Sequence, residues 1–219
     1  MLIKNKVKIE TSVKIKVIKG KTVVYDNSDG KEVKLTSDYC LVSVGQTPVT
    51  TCFENIGLKI WERKNIEVDE QCKTNLPGVY AIGNVVGCTM LAHVDSVQGI
   101  LVIDSIKGKN VKMNYNRIPS CIYSFPEVAT VGITEEQAIK AKIAYKAFKF
   151  LLSANGKAIA YGETDGFVKI LCDPKYGEIL GVHIVAATAT DMIYGITACM
   201  ETEGTIHELA KTVHPYPIL

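Results

Sequence analysis

No run of apolar residues in this chain approaches the roughly 18 that a membrane span requires. The N-terminal stretch MLIKNKVKIET alternates lysine with apolar residues where a secretory leader would place an unbroken hydrophobic block. A chain with no membrane segment and no leader is expected. An excess of one charge is also missing: 25 basic residues face 23 acidic ones for a net charge of +2, and no lysine or arginine block stands out. That excludes the electrostatic footprint of a nucleic-acid arm or a basic membrane patch.

Paired cysteines are lacking as well. The seven (Cys40, Cys52, Cys72, Cys88, Cys121, Cys172 and Cys199) are odd in number, widely spaced and never form C-x-x-C, so neither zinc nor a local redox disulfide is indicated. They read as mostly buried thiols of a reducing compartment, the cytoplasm or another such soluble space. Among the four histidines (His93, His183, His207, His214) the closest spacing is seven residues, and no metal site is expected. There is no internal repeat and no low-complexity tract.

What is present is apolar content of 47% over 219 residues, enough for one large core or two modest ones. In the first third, Val7 and Ile9, then Val13, Ile15 and Val17, alternate with polar residues. DNSDG at 26–30 supplies turn chemistry, and YCLVSVG is a short apolar run typical of a strand buried on both faces. An antiparallel meander feeding a buried strand that ends at Gly45 is predicted. Further on, a Pro-Gly turn precedes a short strand over 79–82, a glycine-containing loop and a helix over about 91–106, on which Val94, Val97, Leu101 and Ile103 make a broad apolar surface. Strand, glycine loop and helix in that order suit a nucleotide site.

From Tyr115 the pattern changes. Thr134 with Gln137 forms a capping box opening a short helix, and the extended AYKAFKFLL follows. GFVKILCD and EILGVHIVA read as two strands joined across the turn PKYG. A helix over about 191–203 comes next, and Thr205 with Glu208 makes a second capping box. The polar connector KGKNVKMNY marks the boundary, so the fold class is mixed α/β and α+β: the end of a nucleotide-binding domain with a β-meander, then an α+β unit with an antiparallel sheet.

Taken in order, YCLVSVGQTPVT, TNLPGVYAIGNVV, MLAH, YSFPEVATVGITEEQ, ETDGFVKIL and EILGVHIV resemble the C-terminal half of the dihydrolipoamide dehydrogenases, in the pyridine nucleotide-disulfide oxidoreductase family. The resemblance runs across nearly the whole chain and is more specific than any single motif. It implies that residues 1–48 end an NAD-binding domain, 49–112 belong to an FAD-binding domain, and 113–219 form the interface domain of a homodimer. The family passes electrons from dihydrolipoamide through a disulfide and FAD to NAD, within 2-oxoacid dehydrogenase complexes.

By the same resemblance Gly45 would lie against NAD, with no Cβ to block close backbone approach. Gly83 and Asn84 would face the flavin's ribityl chain. Met90, Leu91, Ala92 and His93 would place backbone N–H groups of a helix N-terminus near the isoalloxazine, where partial positive charge favours the reduced, anionic flavin. The chain departs from the family at these points. Asn84 stands where the family has an aspartate, removing a charge-assisted hydrogen bond, and Gln46 and Thr47 replace arginines. No G-x-G-x-x-G and no C-x-x-x-x-C occurs anywhere in the sequence, so neither phosphate cradle nor the redox pair is present. FAD and NAD are the cofactors the resemblance implies, and this chain alone is not expected to hold them.

The chain closes on LAKTVHPYPIL. Laid on the family's I-A-R-x-x-H-A-H-P-T-L-S-E, His214 falls on the first histidine and Tyr216 on the catalytic base. A rival register puts His214 and Pro215 on the catalytic His-Pro at the expense of a two-residue slip. In either register the base's supporting glutamate would fall after Leu219. Beside these roles stand plainer ones: His93 as a packing residue, His183 as a hydrogen-bonded sheet residue, His207 as a solvated first-turn residue, Asn84 as a loop residue, and Met192, Ile196, Cys199 and Met200 as core or dimer packing. The sequence thus predicts part of a dihydrolipoyl dehydrogenase, inactive as this chain alone, or a non-catalytic dimerisation module derived from that enzyme.

Overall fold

The structure, a computed structural model, describes residues 5–53 and 55–219. The chain divides into two compact units, residues 1–46 and 47–219.

In the first unit, β1 (Lys14–Lys19), β2 (Thr22–Asp26) and β3 (Glu32–Thr36) form an antiparallel sheet in that order. The expected meander is there. Asn27 closes the β2–β3 turn, its side chain accepting from the Asp29 and Lys31 N–H groups at 3.1 and 2.9 Å, which is how a short polar side chain substitutes for backbone in a turn. Two expectations fail. Val7 and Ile9 lie in no strand, and residues 39–46 form none either, with Tyr39 93%, Leu41 92% and Val44 81% exposed. A buried strand needs neighbours to pair its backbone N–H and C=O groups, and among the described residues no strand lies beside this segment.

The second unit is built on a five-stranded antiparallel sheet in the order β4 (Ser120–Ile122), β5 (Glu127–Gly132), β8 (Ile179–Ala186), β7 (Phe167–Cys172) and β6 (Lys146–Leu151). Central β8 alternates strictly enough to bury Val182, Ile184 and Ala186 completely. Each large aliphatic so removed from water contributes about 1.5–3 kcal/mol. At its start Gly181 runs so close to the chain leaving β5 that a Cβ there would stand 2.1 Å from the Ile133 carbonyl oxygen. Only glycine fits that crossing.

α4 (Ala189–Glu201) packs on β5 and β8 through Ala189, Ile193 and Met200. Met192, Ile196 and Cys199 lie partly buried against the same core. Both capping boxes are present, Thr134 with Gln137 opening α2 (Glu135–Lys140) and Thr205 with Glu208 opening α5 (Ile206–Lys211). The sequence reading left out α3 (Gly156–Tyr161), β4 and β5. α3 is six residues with glycine first, too short for helical periodicity, and it exists because Asn155 caps it, accepting from Ala158 N–H at 3.0 Å.

Ahead of this sheet, α1 (Ala92–Ile106) appears as expected. The predicted strand over 79–82 is reduced to one bridge, Lys73 to Tyr80, with Ala81 N–H donating to the Cys72 carbonyl at 3.0 Å.

Candidate functional site

α1 is apolar almost all round, yet only Val94, Gln98 and Leu101 are buried, while Val97, Ile100 and Ile103 are each about half exposed or more. The spacing of 94, 98 and 101 is one helical face. A glutamine in the middle of that face is 1% exposed, so its amide must find partners on both ends. It does. The Gly83 N–H donates to Gln98 Oε1 at 2.8 Å, and Gln98 Nε2 donates to the Tyr115 hydroxyl at 3.0 Å. Burial pushes the Tyr115 phenol up, and the hydrogen bond donated by Gln98 opposes that shift.

Gly83 opens a single 3₁₀ turn, Gly83–Val86, that ends at left-handed Gly87. Its own φ is +78°, and a Cβ there would stand 3.3 Å from Asp95 Cγ, so the turn and the helix meet through a glycine that no other residue replaces cheaply. Asn84 follows, exposed, its side chain without a hydrogen bond among the described residues. Asp95 belongs to the first turn of α1, where the positive helix end favours a carboxylate. Its Oδ1 is buried and has no partner among the described residues.

The N-terminus of α1 is open. Leu91, the N-cap, makes no side-chain cap bond, and the N–H groups of Ala92 and His93 have no acceptor among the described residues. Met90 is 37% exposed beside them. His93 points its ring elsewhere: Nε2–H donates to the Pro119 carbonyl at 3.0 Å, which fixes the proton on that nitrogen. The structure therefore brings Gly83, Asn84, Met90, Leu91, Ala92 and His93 into one neighbourhood through Gln98 and Asp95. Sequence reasoning missed Gln98, Asp95 and Tyr115; the available signal was a polar residue at a core position of α1. Gly45 lies in the other unit with φ +101° and open space where a Cβ would be.

The chain end forms a second locale. Residues of α3, α4, α5 and the final segment line an apolar groove of about 1170 Å³ in which Phe125, Met192, Ile196, Leu209 and Leu219 meet His214. The tail is tied down by Asn155, whose Nδ2 donates to the Ile218 carbonyl at 3.1 Å while its Oδ1 caps α3. His214 is exposed, its Nε2–H donating to the Leu209 carbonyl at 3.4 Å, and it forms no ion pair with a carboxylate among the described residues. Tyr216 is 92% exposed, its hydroxyl lying 3.7 Å from where a Cβ on Gly156 would be.

Elsewhere, His183 sits half-buried in β8 with Nε2–H donating to the Ile133 carbonyl at 3.2 Å; burial holds its pKa below the usual imidazole value. His207 is exposed in the first turn of α5. No group of three metal-ligating side chains occurs among the described residues, and no described helix is long and apolar enough to cross a membrane.

Comparison with known proteins gives these features a lineage. The family model for the pyridine nucleotide-disulphide oxidoreductase dimerisation domain matches residues 118–219, and the model for the pyridine nucleotide-disulphide oxidoreductase itself matches residues 1–99. The dihydrolipoyl dehydrogenase of Cupriavidus necator is 44% identical over 90% of this chain and 42% of its own length. That of Bacillus subtilis is 35% identical over 99% of this chain and 47% of its own. Among solved structures, LpdA of Mycobacterium tuberculosis superposes with a TM-score of 0.81 at 26% identity, over 97% of this chain and 46% of that one. The flavoprotein disulfide reductase RclA of Escherichia coli shares the fold at a TM-score of 0.79 and 21% identity. The chain spans about half the length of the curated relatives it matches. With two models of one family matching in order along it, the chain belongs to the pyridine nucleotide-disulphide oxidoreductases and is similar to the C-terminal half of their dihydrolipoyl dehydrogenases.

Proposed function

We propose that this chain is the C-terminal portion of a dihydrolipoyl dehydrogenase and that it supplies two things: the flavin-side rim around Gly83, Asn84 and the start of α1, and an interface domain, residues 113–219, that forms a homodimer. Residues 1–48 and 49–112 are assigned to the NAD-binding and FAD-binding domains, with Gly45 on the NAD side. The observation that carries the reading is the ordered match of both family models to one chain that also matches dihydrolipoyl dehydrogenases at 35–44% identity. By the same reading the working partner is a 2-oxoacid dehydrogenase complex in a reducing soluble compartment such as the cytoplasm.

The rim residues fit one end of an FAD. Among the described residues, Ala92 and His93 have unaccepted N–H groups at a helix N-terminus that carries partial positive charge, and the Asn84 amide has no partner and can both donate to and accept from polyol hydroxyls. The pyrophosphate end has no counterpart, since the sequence holds no glycine fingerprint. When bound in this family, FAD carries electrons between a disulfide and NAD. This chain's residues toward that chemistry are limited to binding and orientation at the rim, because no C-x-x-x-x-C supplies a disulfide and Tyr216 stands in the place of the base. Dihydrolipoamide with NAD and the chain, followed by NADH absorbance, should give no rate above buffer. A lipoamide-dependent rate abolished by His214→Ala would overturn the reading and establish the rival register.

A second reading, a dimerisation module without catalysis descended from the enzyme, draws on the tyrosine at the base position. The two are separated by supplying FAD and the N-terminal half of a relative in trans to the Tyr216→His chain: dihydrolipoamide-dependent activity supports the enzyme portion, and its absence supports the module.

A further inference from the structure

The connector between α1 and the interface sheet is held at three points. Tyr115–Arg117 is a 3₁₀ turn initiated by Asn114, whose side chain accepts from Asn116 N–H at 3.1 Å. On one side Gln98 donates to the Tyr115 hydroxyl at 3.0 Å and His93 donates to the Pro119 carbonyl at 3.0 Å. On the other, Arg117 Nη1 donates to the Glu201 carbonyl at 3.4 Å and lies 3.7 Å from Glu201 Oε2, at the end of α4. The same turn packs on β5 and α4. Gln98 carries the chain of contacts one step further, since its other end holds the Gly83 N–H at 2.8 Å.

We propose that residues 115–119 are a strap coupling the interface sheet to the Gly83–Val86 turn, and that Gln98 is the positioning residue through which it acts. A single buried amide joins the two because it offers an acceptor and a donor at once. With Gln98 removed, the Gly83 N–H loses its acceptor and the Tyr115 hydroxyl loses the donor that Gln98 supplies, and a partly buried N–H left unpaired loosens its turn. The strap bears on flavin binding only through the reading of that turn as the flavin-side rim. The coupling itself needs no flavin, so it stands or falls separately from that reading.

The test is amide hydrogen exchange on the full 219-residue chain without added flavin, followed by mass spectrometry. Gln98→Leu should speed exchange in peptides covering 82–87 by about tenfold, the loss of one hydrogen bond's worth of protection, while peptides from β7 and β8 stay protected. Gln98→Glu should restore protection, since a carboxylate accepts from Gly83 and the phenol can turn from acceptor to donor. That rescue is what a merely space-filling role would not give. Tyr115→Phe should deprotect 82–87 partially by releasing the far end of the amide. Should Gln98→Leu also unfold β7 and β8, the decision passes to Tyr115→Phe: faster exchange at 82–87 supports the strap. Exchange at 82–87 within twofold of the unmodified chain in a folded Gln98→Leu or in Tyr115→Phe, or a Gln98→Glu that behaves like leucine, overturns it.

Discussion

Tyr216 and His214 differ in what each could do as a base near neutral pH. A phenol must first lose its own proton to act as a base, whereas a neutral imidazole carries a nitrogen lone pair that accepts one. His214 has the right chemistry, but its Nε2–H is engaged with the Leu209 carbonyl and no carboxylate pairs with it among the described residues. It also stands two residues from Tyr216, about 7 Å in extended chain, too far to reach the same proton. Tyr216→His in this chain should therefore still give no dihydrolipoamide-dependent NAD reduction, followed at the NADH band, because disulfide and cradles are absent from the sequence. Asp95 gives a stability test at the same scale. Its unpartnered buried oxygen costs about 1–3 kcal/mol, more than the roughly 0.3–1 kcal/mol a first-turn carboxylate gains from the helix dipole. Asp95→Ala should raise the urea unfolding free energy by about 1 kcal/mol; a loss of stability would mean that the carboxylate is satisfied in solution.

The short helices α2, α3 and α5 begin where a nearby side chain accepts from the first free N–H groups, and α4 takes its acceptor from a strand. Thr188 offers it no side-chain cap; instead Glu127 of β5 accepts from the Thr190 N–H at 3.0 Å and its hydroxyl at 2.7 Å. Those donated bonds favour the ionised form and hold the Glu127 carboxyl below the usual value. A depressed carboxylate contributes stability above its unfolded pKa of about 4.3 that disappears as pH falls through the lower folded value. Melting temperature should thus fall below about pH 4, and Glu127→Gln should flatten that part of the profile; an unchanged profile would detach the pair from stability. This cap was invisible in sequence because its two residues are 63 apart. The boxes at Thr134 and Thr205 were legible because each is contained in four residues. The strand expected over 39–45 was misread for a related reason: its apolar run reports what the segment prefers, while pairing depends on a neighbouring strand.

For the whole molecule, the order of motifs carried more than composition or periodicity did. AIGNVV and MLAH located the 3₁₀ turn and the start of α1, but not that Gln98 and Asp95 join them, since a side chain's contacts across 15 residues of helix and turn leave no local pattern. The antiparallel sheet of the interface region was readable from GFVKILCD and EILGVHIVA, whereas β4 and β5 were not recognised as strands. That region leaves Tyr123, Phe125 and Tyr194 largely exposed and an apolar groove beside them, the kind of surface that twofold association covers. On the proposed function, this chain contributes an interface and a flavin rim without the cradles that hold a flavin. Sedimentation velocity in the presence of excess FAD, read at both the protein and the visible flavin absorbance, tests it most directly. A boundary at twice the 23.9 kDa chain mass with no flavin travelling in it is expected. A monomer at every concentration, or one flavin per chain moving with the protein, would contradict it.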